Sequence, residues 1–319
     1  MSFLARRSDM NSPQPSSGRP TEIEEITNRF LVHPLSRRLI PPLARLRVHP
    51  NVVSLCGLGA GLAAAECFHR AVAETSAAAA TFGLAGMFVW HVLDGADGQL
   101  ARLTGRASLT GKIVDGIADY GTWAAIYLAL ALALSPAVGH AAWLLVLLAA
   151  ASHLAQAAAY QLQREEYMRW ACGVERAGHR EAADRADSGP GAASARPLIP
   201  RLLDRLYTCI QYLLDPTPPE VRAMLRHQSR TSGTRAALAL SYRRQFAPIL
   251  RSWNLLSANM HTLALYLFTA FGMPTGFLVF EMTAMNLLLL TLLLQTRRRA
   301  ARLTAGLGAH APSVGHQEL

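Results

Sequence analysis

"DGADGQLARLTGRASLTGKIVDGIADYG", residues 94–121, decides how the rest of the chain reads. Asp94, Asp97, Asp115 and Asp119 stand here with Arg102, Arg106 and Lys112, between long runs of alanine, leucine and valine. Carboxylates are costly to desolvate beside apolar helices, so acidic residues at membrane depth read as functional by default. Their spacing sharpens that reading. On a helix, Asp94 and Asp97 are about 60° apart, and Ala101 returns to the same face. Asp115 and Asp119, at i and i+4, lie about 40° apart on the next helix. The short connection makes the two helices antiparallel neighbours, so the carboxylates can converge at one end of a bundle.

The flanks carry the fold class. Of the 319 residues, 51% are hydrophobic and 16% charged, with a mean hydropathy of +0.18. Six apolar blocks, near 51–69, 75–97, 113–135, 139–162, 253–272 and 275–296, approach the length of about 20 residues that a membrane span needs. The first two are rich in alanine and glycine, which suit close helix packing in a bilayer. We expect an all-α polytopic membrane protein, a bundle of six transmembrane helices. In the segment before it, 21–32, Ile23, Ile26 and Phe30 share one helical face, which predicts an interfacial amphipathic helix, with an ordinary surface helix as the alternative. Residues 1–20 read as a disordered arm, 21–297 as the membrane domain and 298–319 as a basic cytosolic tail. Within the domain, 163–250 is an enlarged cytosolic insertion between the fourth and fifth spans. Its first part is polar and small-residue-rich, which predicts disorder, and its later part has amphipathic helical spacing.

The net charge of +10 comes almost wholly from arginine, Lys112 being the only lysine. Arginines crowd the N-terminal arm, the 98–112 connection, the insertion and the C-terminal tail, while the other connections carry almost none. Basic loops stay cytosolic, which puts both termini and the aspartates on the cytosolic side of the cell's inner membrane. The charge flanks apolar blocks without a nucleic-acid motif or aromatic stacking pattern, so no nucleic-acid partner is expected. Cys56, Cys67, Cys172 and Cys209 have neither paired nor C-x-x-C spacing, and predict neither a disulfide framework nor a zinc site.

Four converging carboxylates require compensating cations, and oxygen-only donors select Mg²⁺ or Mn²⁺. Two such ions about 3.5–4 Å apart are the usual device of phosphoryl transfer. Arg102 has the forked donors that bind phosphate oxygens. Gly98 and Gly111 leave room for a ligand, or for a neighbouring helix. Together these residues point to a phosphate ester or diphosphate substrate.

Asp94, Asp97, Gly98, Ala101, Arg102, Gly111, Asp115 and Asp119 reproduce D-x₂-D-G-x₂-A-R-x₈-G-x₃-D-x₃-D. A chance match at all of these positions is on the order of 10⁻¹⁰ per starting position. The pattern resembles that of the CDP-alcohol phosphatidyltransferases, and no position departs from it. Pro50-Asn51, opening the first apolar block with Ser54 after it, resembles that family too, whereas the 163–250 insertion is longer than the family's usual connection. The resemblance implies transfer of a phospho-alcohol group from a CDP-linked donor, CDP-diacylglycerol in the common bacterial case, to an alcohol, releasing CMP in phospholipid synthesis. It implies Asp94, Asp97 and Asp115 as metal ligands, and Asp119 as the base that takes the acceptor's proton while also touching a metal. Gly98, Ala101, Arg102 and Gly111 would frame the cytidine and diphosphate, with Asn51 and Lys112 beside them; a solvated surface role competes for Lys112. The acceptor, a polyol, a polyol phosphate or serine, is left open, and a homodimer is among the assemblies it implies.

Polar residues recur on one face of the fourth block, His153, Gln156, Tyr160 and Gln163, and of the fifth, Asn254, Ser257 and His261. Polar groups in lipid turn inward, so these stripes should line the bundle interior, as an acceptor cavity or as interhelical hydrogen bonds. Glu66, Glu281 and Asn286 read as structural. The insertion's arginines suit either an anionic acceptor or anionic lipid headgroups. Two rivals are weaker. An intramembrane prenyltransferase would separate its two aspartate motifs widely, and an ion-coupled transporter predicts inverted repeats that are not found.

Overall fold

The computed structural model describes residues 20, 22–174, 198–230 and 232–308. The fold is helical throughout, with no strand among the described residues. A π-helical turn at Asn28–Val32 leads into α1 (His33–Arg45). Then come α2 (Pro50–Ala73), α3 (Ala77–Leu103), α4 (Leu109–Val138) and α5 (Ala141–Cys172). From the insertion come α6 (Leu198–Leu213), α7 (Pro219–Arg230) and α8 (Ser232–Trp253). The chain closes with α9 (Ala258–Ala270), α10 (Pro274–Met282) and α11 (Ala284–Gly308). The expected disorder of 1–20 and of the first part of the insertion falls almost wholly outside the described residues.

Local chemistry sets the helix starts around the aspartates. Pro50 occupies the first turn of α2, where its missing N–H is no loss, and the His49 ring accepts from Asn51 N at 3.2 Å. Ser108 caps α4, its hydroxyl accepting from Gly111 N at 3.0 Å. At the other side of the connection, Gly105 takes φ +68° and Arg106 N bonds back to Ala101 O, which ends α3. The expected 98–112 connection is therefore only 104–108. Gly98, Ala101, Arg102, Gly111 and Lys112 all sit in helical turns, because both helices run further than their apolar blocks.

Small residues let α2, α3 and α4 approach closely. A Cβ on Gly61 of α2 would stand 2.3 Å from Thr122 Oγ1 of α4, and one on Gly86 of α3 would stand 2.9 Å from the Ala64 Cβ of α2. Phe68, Met87, Ile126 and Leu130 fill the core that these three helices share with α5 and α10. Large apolar side chains such as Phe82, Leu144, Leu147 and Leu287 point outward. That is the pattern of a lipid-facing surface.

Among the described residues, five helical stretches are long and apolar enough to cross a membrane: α2, α3, most of α4, α5, and Pro274–Leu303 across α10 and α11. The expected block at 253–272 is interrupted. A 3₁₀ turn at Asn254–Leu256 and extended Ser257, ψ 158°, leave α9 only 13 residues, about 20 Å of helix. Ahead of α1, Ile23 lies in a turn and is buried at 4% exposure, so it does not join the expected apolar face, whereas Ile26 and Phe30, in the helical stretch that begins at 26, are both exposed, at 77% and 66%. The insertion is more than a surface attachment. Tyr242, Phe246, Leu250 and Trp253 of α8 bury against Tyr167 and Trp170 of α5 and Leu292 of α11. The helix α11 runs through residue 298, with Ala300 and Leu303 buried in the same core.

Candidate active site

The helices α3 and α4 each pack along α2 rather than along one another, so the expected neighbour pair is mediated by α2, and the four aspartates meet at the end where the two helices connect. Asp94 and Asp97 stand on the last turns of α3, Asp115 and Asp119 on the early turns of α4. Carboxylate oxygens of Asp94, Asp97 and Asp115 lie within 4.8 Å of one another. Asp119 lines the same narrow cleft, one turn further along α4, without belonging to that close group. Ser54, Gly57, Trp90 and Ala118 complete the cleft wall.

Asp97 is the most enclosed of the group that clusters, at 5% exposure, and it is held from two sides. Ser54 Oγ donates to Asp97 Oδ2 at 2.5 Å, and Gly98 N–H donates to Oδ1. Hydrogen bonds to an ionised acceptor are short and strong, so Ser54 locks this carboxylate in place. The donor set is all oxygen, partly buried and of like charge. It fits hard divalent cations, which would neutralise three carboxylates that repel one another at this range.

Arg102 folds back along α3, its guanidinium passing 3.5 Å from where a Gly98 Cβ would stand. No other side chain among the described residues comes within 4 Å of that position, so packing against a neighbouring helix there does not explain the glycine. The space above it is open to a ligand. Asn51, at the start of α2, reaches toward Gly111, its Oδ1 3.4 Å from where a Cβ there would be. Lys112 is exposed at the same end, and Ala101, next to Arg102 in α3, is half-buried.

Two features were not expected. Trp90 lies one turn before Asp94 and shares its face, a signal that helical periodicity carried. The second is long-range: Tyr207 of α6 packs edge-on against Tyr120, the neighbour of Asp119, with ring centroids 6.3 Å apart. The insertion thus reaches the aspartate end of α4, which no local pattern announced. Behind the cleft, the polar stripes do turn inward: His153, Gln156, Tyr160, Gln163, Ser257 and His261 are buried and Asn254 is half-buried.

Residues 47–177 match the family model of the CDP-alcohol phosphatidyltransferases. The match takes in α2 to α5 and every position of the aspartate motif, and it ends where the insertion's undescribed part begins. It bears out the resemblance read from the motif and supports a transferase acting on a CDP-linked alcohol. No curated protein matches the chain.

Proposed function

We propose that this protein transfers a phosphatidyl group from CDP-diacylglycerol to the hydroxyl of a polyol, a polyol phosphate or serine, releasing CMP. The observation that carries the reading is the cluster of Asp94, Asp97 and Asp115, drawn from two helices to within 4.8 Å beside a narrow cleft. Asp94, Asp97 and Asp115 would hold divalent ions, Mg²⁺ or Mn²⁺, which supply charge neutralisation at the donor's diphosphate when bound.

The chain's own groups divide the remaining work. Ser54 keeps the Asp97 carboxylate oriented. The bare edge of α3 at Gly98 admits the diphosphate closely, and Arg102 presents forked donors to its oxygens. Asn51, Gly111 and Lys112 lie at the same end for the nucleotide, with Ala101 leaving room on α3. The acceptor oxygen attacks the β-phosphorus of the donor and forms the new P–O bond. The bond to the bridging oxygen breaks, and CMP departs with its electron pair. Asp119, in the cleft but outside the tight cluster, takes the acceptor's proton. In that position it can also touch an ion.

The arginine distribution favours the cytosolic face of the inner membrane for this cleft. Six crossings agree with it if α9, extended by the 3₁₀ turn before it, completes the fifth. The test is direct. Purified protein is incubated with CDP-diacylglycerol, Mg²⁺ and a panel of alcohols, and CMP and lipid product are measured. EDTA should abolish CMP release and Mg²⁺ or Mn²⁺ restore it, while Asp115→Asn removes it. CMP release that is indifferent to both EDTA and Asp115→Asn would overturn the proposal, as would no release with any alcohol.

A further inference from the structure

Behind the aspartate cleft, three ionisable side chains from three different helices meet inside the bundle. His153 of α5, His261 of α9 and Glu281 of α10 each place a donor atom within 4.8 Å of the other two. All three are buried, His261 and Glu281 at 0% exposure and His153 at 6%. The imidazoles of His153 and His261 stack with centroids 3.9 Å apart and planes 17° from parallel. His261 Nδ1 lies 2.6 Å from Glu281 Oε1. Trp123 covers the pair edge-on, its ring centroid 4.3 Å from that of His153.

Packing alone leaves this cluster unsatisfied. His261 Nε2 and Glu281 Oε2 are fully buried and have no hydrogen-bond partner among the described residues. Gln156, one turn from His153, repeats the pattern. Its amide nitrogen bonds Glu281 O and Asn286 Oδ1, while its Oε1 lacks a partner among the described residues. Unpartnered polar atoms in a bilayer-spanning bundle are costly, and neighbouring lipid offers them nothing. A cation held among the three side chains would supply the positive partner that this buried cluster lacks.

We propose that His153, His261 and Glu281 form an intramembrane binding site for a transition-metal ion of the Zn²⁺ class, separate from the carboxylate cluster. Two imidazoles and one carboxylate are a donor set that suits zinc, whereas Mg²⁺ prefers oxygen throughout. The outer shell is present as well. The Tyr127 hydroxyl contacts His153 Nδ1 at 3.0 Å, which orients that ring and leaves Nε2 as its other donor. Gln156 holds the backbone of α10 at Glu281 itself. The ion would tie α5, α9 and α10 together. Trp123 stands one turn beyond Asp119 on α4 and packs edge-on to Trp90 of the aspartate cleft, so the two sites share a wall but no ligand.

The experiment uses full-length, untagged protein in detergent, stripped with chelator and then given saturating Mg²⁺ to occupy the carboxylate cluster. Zn²⁺ retained after dialysis is measured by mass spectrometry, and Co²⁺ is titrated while visible absorption is followed. The expected result is about one equivalent of Zn²⁺ per chain and an intense Co²⁺ band of the kind that low-coordinate nitrogen ligation gives. His261→Gln and Glu281→Gln should each lower the retained metal at least tenfold, whereas Asp115→Asn should retain it. Wild-type protein with no retained Zn²⁺ and no Co²⁺ band would overturn the site, a result that needs no variant to fold. Loss of the metal in Asp115→Asn together with retention in both glutamine variants would also overturn it, by assigning the ion to the aspartates. Because the readout is binding, its outcome is independent of whether the chain transfers a phosphatidyl group.

Discussion

Replacing Ser54 with alanine removes one oxygen and isolates one contact. The hydroxyl donates at 2.5 Å to Asp97 Oδ2, and both residues are 5% exposed, so bulk water cannot substitute freely for it. A hydrogen bond to a charged group contributes about 1.5–3 kcal/mol. At about 1.36 kcal/mol per tenfold, that converts to roughly a 10- to 150-fold effect. Since Ser54 touches a proposed metal ligand and not the substrate, the effect should appear chiefly in the Mg²⁺ dependence. Outer-shell partners of metal ligands typically account for about 10- to 100-fold in metal affinity or activity, which agrees with the direct estimate. The assay is CMP release against Mg²⁺ concentration at fixed CDP-diacylglycerol and acceptor. The half-activating Mg²⁺ concentration should rise at least tenfold, with most of the maximal rate recovered at saturation. A half-activating concentration within twofold of wild type would refute the idea that Ser54 holds Asp97 for a cation.

Three other outcomes follow from the same geometry. Asp119→Asn should lower turnover by about 10²–10⁴ with little change in the Mg²⁺ requirement, because it removes a proton acceptor and leaves the close carboxylate group intact; parallel loss of Mg²⁺ affinity in a binding titration would make Asp119 chiefly a ligand. Gly61→Ala forces a Cβ to within 2.3 Å of buried Thr122 and should cost about 1–3 kcal/mol, read as a lower melting temperature in detergent that Thr122→Ala partly restores. An unchanged melting temperature would contradict the close approach of α2 and α4. Tyr207→Ala strips the edge-on ring from Tyr120 and should reduce turnover several-fold while leaving the half-activating Mg²⁺ concentration unchanged, the opposite signature to Ser54→Ala.

The readable part of this protein is the part governed by short-range geometry. Helical periodicity puts Asp94 with Asp97, and Asp115 with Asp119, on shared faces whatever the rest of the chain does, and a short connection keeps the aspartate ends of the two helices together, although both pack on α2 rather than on each other. Apolar block length likewise announces the long helices from α2 to α5. The limits of those blocks were less legible, because Ser108 and Gly105 end the connection by capping chemistry rather than by hydropathy. The fifth block is less regular than its composition announces for a related reason: the backbone breaks at Ser257, where α8 turns into α9.

What tertiary structure alone decided is which distant residues meet. Ser54 reaches Asp97 across 43 positions, and Tyr207 reaches Tyr120 from a helix that the motif does not contain. Glu281, a lone acid in an apolar block, becomes the partner of His261 and neighbour of His153 only when α5, α9 and α10 pack together. The sequence by itself determined the long apolar helices from α2 to α5, through block length, and the shared faces of the aspartates, through spacing within one or two turns. The cleft wall, the insertion's contact and the second cluster depend on side-chain packing between helices, and no periodicity along the chain encodes which helix will stand opposite.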